Sequence, residues 1–120
     1  MANPNILNAT SIYGKTTAAT LNTTFGTAYL TCATDKLLKV NTIMVGNISS
    51  GNVDVNVNYE TSGGSSFAIA RTIVVPEDST IVLLGKDNPI FLEEGTKINA
   101  HASANSSLQI IISYEELDDA

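Results

Sequence analysis

Hydrophobic residues recur at every second position along most of this chain. Val53, Val55, Val57 and Tyr59 alternate with Asp54, Asn56, Asn58 and Glu60, the pattern of a strand with one buried face and one wet face. Ile98, Ala100, Ala102 and Ala104 alternate with Lys97, Asn99, His101 and Ser103 in the same way. Leu108, Ile110, Ile112 and Tyr114 repeat the period, and Ile111 breaks the polar face, which predicts a second contact there. The run LLKVNTIMVGNI (37–48) sets Leu38, Val40, Thr42, Met44 and Gly46 on one side. Leu37, Ile43 and Val45 share the other side with Lys39 and Asn41, so both sides are expected to be covered. FAIARTIVV (67–75), STIVLL (79–84) and the shorter IFLEE (90–94) complete the central set. The first 35 residues are less periodic: a strand-like segment is predicted around NILNATSIY and a strand over 24–33.

Between these runs stand SSGN (49–52), TSGGSS (61–66), PEDS (76–79), GKDNP (85–89), EEG (93–95) and ANSS (104–107). Each offers Gly, Pro, Asn, Asp or Ser where a strand must reverse. Short strands at this spacing, without a convincing amphipathic helix, predict an all-β fold, an antiparallel β-sandwich of jelly-roll type with about seven or eight strands. With no linker and no internal repeat, residues 1–120 read as one domain. Residues 1–20 form either an N-terminal arm or the first strand, and EELDDA (115–120) reads as a solvated acidic tail.

Composition narrows the function classes. Hydrophobic residues make up 43% and charged residues 15%, too apolar for disorder. The net charge is −6 and Arg71 is the only arginine, a poor endowment for displacing phosphate counterions or holding an anionic membrane surface. Neither nucleic acid nor membrane is therefore expected as a partner. No apolar run approaches the roughly 20 residues of a membrane span, and MANPNIL lacks the basic start and apolar core of a signal peptide. Synthesis in a cytoplasm is the expectation. Cys32 is the single cysteine and needs no oxidising compartment.

Candidate chemistry is thin. His101, the only histidine, follows Glu93 and Glu94, but it falls on the polar face of its strand and nothing in the spacing turns the carboxylates toward it. One His and one Cys cannot supply the usual zinc sets. DVNVN (54–58) copies the opening of a calcium loop, yet Tyr59 and Ser65 stand where that loop needs Gly and Glu. GKTT (14–17) resembles the end of a phosphate loop, but Ala9 occupies the place of the earlier glycine. Cys32 sits in apolar AYLTCA, which favours an inert thiol, and GSS (64–66) lacks the second glycine of a nucleophile elbow. Carboxylate pairs such as Glu115/Glu116 point to opposite faces of a strand. Sugar binding is the more serious alternative, with Tyr59 and Tyr114 as stacking candidates. The Asn-x-Ser/Thr triplets at Asn8, Asn22, Asn47 and Asn105 follow from composition. No enzyme is expected, no catalytic, cofactor or metal residue is assigned, and the partner-binding residues stay unidentified.

The stretches MANPNILNATSIYGKTT, LLKVNTIMVGNISSGNVDVNVNYE and RTIVVPEDSTIVLLGKDNPIFLEEGTKINAHASANSSLQIIISYEE, in that order, resemble small virion structural proteins of tailed bacteriophages, particularly those of marine cyanobacterial phages. The resemblance covers most of the chain and consists of strand and turn patterns without catalytic residues. It implies a non-enzymatic virion component, a capsid-decorating (cement) protein bound to the major capsid protein. The alternative it leaves is a tail, neck or fibre module with receptor or glycan binding. Low cation content suits the outside of a particle rather than a surface facing packaged DNA. Neighbour contacts would come from loops, the N-terminal segment and one outer sheet face. A closed homo-oligomer, preferably a trimer, would cover the sheet edges.

Overall fold

Alternating apolar residues can be buried only if two sheets face each other, and the chain does this with its two sheets. The structure is a computed structural model that describes residues 11–118. Nine strands run through these residues: β1 (Ser11–Thr20), β2 (Ala28–Thr31), β3 (Lys36–Asn47), β4 (Val53–Glu60), β5 (Ser66–Val75), β6 (Thr80–Leu84), β7 (Ile90–Leu92), β8 (Lys97–Ala102) and β9 (Leu108–Asp118). One sheet has the order β1-β9-β3-β6, with β7 also paired to β3, and the other has the order β2-β8-β4-β5. All pairings are antiparallel. Apart from the β4–β5 hairpin and the short β7, each successive strand lies in the sheet opposite its predecessor, which is the jelly-roll path. The all-β sandwich expected from the period-two pattern is therefore the fold. β7 brings the strand number among the described residues above the expected seven or eight.

The core lies between the sheets. Leu38, Val40, Ile43, Val45, Ile110 and Ile112 face inward from one sheet, and Val53, Val55, Val57, Ile98, Ala100 and Ala102 from the other. Removing these side chains from water at roughly 25 cal/mol per Å2 is the main force holding the layers together.

Three expectations are corrected. The predicted faces of β3 hold for only half of the strand, because its register to β9 shifts between Val40 and Thr42. Asn41 is the extra residue of this bulge, and its side-chain amide donates to Glu115 Oε2 at 2.9 Å. Beyond it the phase inverts. Ile43 and Val45 join Leu38 and Val40 in the core, while Thr42, Met44 and Gly46 turn to the outer face.

The second correction concerns the acidic tail. Glu115, Glu116, Leu117 and Asp118 belong to β9, between β1 and β3. Leu117 is buried beside Leu37. Cations on the flanking strands meet the acids: Lys15 reaches Glu116 at 2.8 Å, Lys39 reaches Glu115 at 4.0 Å, and Lys36 pairs with Asp118. Neutralised in this way, an acidic segment can occupy the middle of a sheet.

The third correction concerns the placing of the N-terminal strand around NILNATSIY, while over 11–20 the first-strand alternative is the one seen. The strand runs over Ser11–Thr20 and so includes GKTT, paired along its whole length with β9. The part of the predicted arm at 1–10, with Asn8, lies outside the described residues.

Candidate functional site

EEGT (93–96) is a turn. Thr96 donates from both its N–H and its hydroxyl to Glu93 O, at 3.0 and 2.7 Å, and Glu94 Oε2 accepts from the backbone N–H of Asp35 at 2.8 Å. Gly95 takes a φ of 82°, and a Cβ there would stand 3.1 Å from Ser62 Cβ, so glycine answers both conformation and space. His101 sits elsewhere, on the outer face of β8 opposite Asn56 of β4. The structure does not bring Glu93 or Glu94 to the groove that His101 lines. Among the described residues, no cluster of three or more His, Cys, Asp and Glu could hold a metal ion.

That groove lies on the outer face of the β2-β8-β4-β5 sheet and has a volume of about 520 Å3. It is lined by Asn56 and Asn58 of β4, Ser66, Ala68, Arg71 and Thr72 of β5, His101 of β8, and Phe25 from the β1–β2 loop. Among the described residues, no acidic side chain lines it.

Each wall has a local cause. The β1–β2 loop is fastened along β8, where Asn22 O and Thr27 O accept from Ala102 N and Ala100 N at 2.8 and 3.1 Å. Asn22 Oδ1 also accepts from Thr24 N at 3.0 Å, and Asn105 Oδ1 from Thr23 N at 3.1 Å. The loop thereby sets Phe25 edge-to-face on His101, with ring centroids 5.5 Å apart at 71°, a geometry worth about 0.5–1.5 kcal/mol. Phe25 nevertheless stays 66% exposed. Among the described residues, the His101 Nδ1 beneath it is buried without a hydrogen-bond partner.

The opposite wall is a bulge. Val55 pairs with Ile73 and Val57 with Ala70, so Arg71 and Thr72 together face Asn56. Thr72 adopts a φ of 52°, which costs a β-branched residue about 1–2 kcal/mol. Asn56 Oδ1 accepts from its N–H at 3.0 Å and holds it there. The bulge projects Arg71 at the groove, and among the described residues this guanidinium forms no ion pair. The floor is fixed from below: Asn58 Nδ2 donates to Asn99 Oδ1 at 3.0 Å, and Asn99 Nδ2 to Glu60 Oε1 at 2.8 Å.

A second surface lies on the opposite side of the sandwich. The registers put Ala18, Ile111, Met44 and Val82 in one row across β1, β9, β3 and β6. Val82 is 61% exposed and Ile111 38%. The flanking rows, Thr16–Ser113–Thr42 and Thr20–Gln109–Gly46–Thr80, are uncharged. The expected second contact at Ile111 therefore falls on an open outer face.

Other candidates have structural roles. Tyr59 and Tyr114 pack against the core and are not stacking platforms. Cys32 is buried, its Sγ donating to Lys36 O at 3.2 Å, and burial pushes the thiol up to about 11. Sequence reasoning missed Phe25 and the place of Arg71. The only available signals were an aromatic in a polar loop and a single arginine.

No protein-family model and no curated protein matches the chain. Among the described residues, no helix is long and apolar enough to cross a membrane.

Proposed function

We propose that this chain is a non-enzymatic structural component of a tailed-bacteriophage virion, a capsid-decorating protein that docks on the shell through the outer face of its β1-β9-β3-β6 sheet. The observation that carries the reading is the Ala18–Ile111–Met44–Val82 row, flanked by uncharged rows, in a chain of net charge −6. Such a face loses little desolvation energy on docking and gains from each apolar atom removed from water. The sequence resemblance to cyanophage virion proteins supplies the kind of partner. Among the described residues the outer edge of β1 is unpaired, which leaves room for a homo-oligomer, with a trimer preferred, because an unpaired strand edge invites pairing.

The test is binding of the purified protein to particles that lack it, followed by cryo-EM. Decoration predicts copies spread over the head lattice, and Val82→Glu with Ile111→Glu abolishes binding while the far-ultraviolet spectrum stays that of a sheet protein. Undiminished binding by this variant, or copies confined to the tail, overturns the reading. A tail, neck or fibre module is the second reading, favoured by the groove on the opposite sheet.

A further inference from the structure

We infer that the groove between Phe25 and Arg71 binds a carboxylate-bearing saccharide. Its volume, about 520 Å3, lies within the roughly 300–1,000 Å3 of small-molecule sites. Its chemistry then narrows the ligand.

Four features act together. Arg71 is the chain's only arginine, stands at the groove and has no ion pair among the described residues. A guanidinium offers a planar fork that matches a carboxylate with two parallel hydrogen bonds. Asn56, Asn58, Ser66 and Thr72 line the same space with amides and hydroxyls, groups that donate and accept as sugar hydroxyls do. Phe25, largely exposed and held on His101, offers a ring to the apolar C–H face of a pyranose. Finally, Thr72 carries backbone strain at a position held by the Asn56 hydrogen bond, and strain of this kind collects where a side chain must be aimed.

The charge balance favours one carboxylate over a phosphate. The one guanidinium at the groove balances a single negative charge, whereas a dianion would meet repulsion from a protein of net charge −6. An apolar ligand is a poor match, because most of the lining is polar. The inference is independent of shell docking, since groove and docking row lie on opposite outer faces of the sandwich.

The experiment uses the full chain and a panel of glucuronic, galacturonic and N-acetylneuraminic acid glycosides. Each uronic acid is paired with its neutral hexose, N-acetylneuraminic acid with its carboxamide, and sulfated hexosides are run alongside; binding is followed by amide chemical shifts and calorimetry. The expected result is saturable binding of at least one carboxylated member, with shifts at Asn56, Asn58, Arg71, Thr72 and His101. Arg71→Gln weakens it about tenfold or more, as expected for loss of a charge-assisted hydrogen bond, and leaves weak binding of the neutral counterpart unchanged. Phe25→Ala weakens both members of a pair. Lys86→Gln, a control at an exposed lysine outside the groove, changes neither. The inference is overturned if no carboxylated member binds, if Arg71→Gln binds like the parent, if Lys86→Gln loses as much, or if sulfated sugars bind more tightly. Unchanged thermal midpoints of the variants ensure that lost binding is read at the groove.

Discussion

Asn56 accepts at its Oδ1 the backbone N–H of Thr72, 3.0 Å away, and so holds a threonine at a φ of 52°. This one contact joins the middle of β4 to the bulge that aims Arg71. Asn56→Ala leaves that exposed N–H to water and is expected to destabilise the fold by about 0.5–1.5 kcal/mol. Thr72→Asn, a residue that tolerates the left-handed region, is expected to stabilise by up to about 1 kcal/mol. Urea midpoints of the two variants should move in opposite directions.

Asn47 closes the β3–β4 connection. Its Nδ2 donates to Gly51 O and Val75 O at 2.8 and 2.9 Å, and its Oδ1 accepts from the N–H and hydroxyl of Ser49 at 2.8 and 2.7 Å. Asn47→Ala breaks four hydrogen bonds at a buried position, for an expected loss of about 3 kcal/mol. Asn47→Asp retains only the acceptor half and should fall between, as read by thermal melting.

Ile112 is fully buried between the sheets and Val82 is open to solvent on the outer face of one. Ile112→Ala should cost about 2–5 kcal/mol through lost burial and an unfilled cavity. Val82→Ala should stay within about 0.5 kcal/mol. Equal losses in denaturant unfolding would mean that the outer row is covered within the folded chain, and would remove the basis of the docking proposal.

Leu117 is buried in the segment that reads as an acidic tail. Leu117→Ala should lower stability by about 2–3 kcal/mol, whereas a solvated tail would tolerate it. Hydrogen exchange adds a second readout: the amides of 115–117 should be protected like those of 110–112, because β9 is central throughout.

High pH should weaken the fold from one direction. Burial raises the Cys32 thiol from 9.0 to about 11, so the folded state holds this proton more tightly than the unfolded chain. The contribution is complete below pH 9 and is lost as pH rises toward 11. Lys15 and Lys36 are raised as well, chiefly by donating to Glu116 and Asp118, and their contribution declines in the same sense at the alkaline end. The urea midpoint should fall between pH 9 and 11, and less in Cys32→Ala. At neutral pH the folded thiol should react with iodoacetamide at least about a hundredfold more slowly than the unfolded one.

The period of two by itself determined that the chain is all-β, and its turn residues divided it nearly where the strands end. The core of β4, β8 and β9 was legible because every second residue there is apolar: a side chain on a strand has two faces to choose from, and apolar residues took one, with Ile111 an exception on the outer face of β9. On β3 the same reasoning failed beyond Asn41, since a bulge adds a residue without changing composition and inverts every later face. The acidic segment 115–118 misled for a related reason: Lys15, Lys36 and Lys39, which balance it, are remote in sequence and become its neighbours only when β1 and β3 flank β9. His101 could be placed on a wet face from its spacing alone. Tertiary structure decided that this face is roofed by Phe25 and walled by Arg71, because a loop packed along β8 and a strained bulge in β5 bring together residues that no local pattern connects.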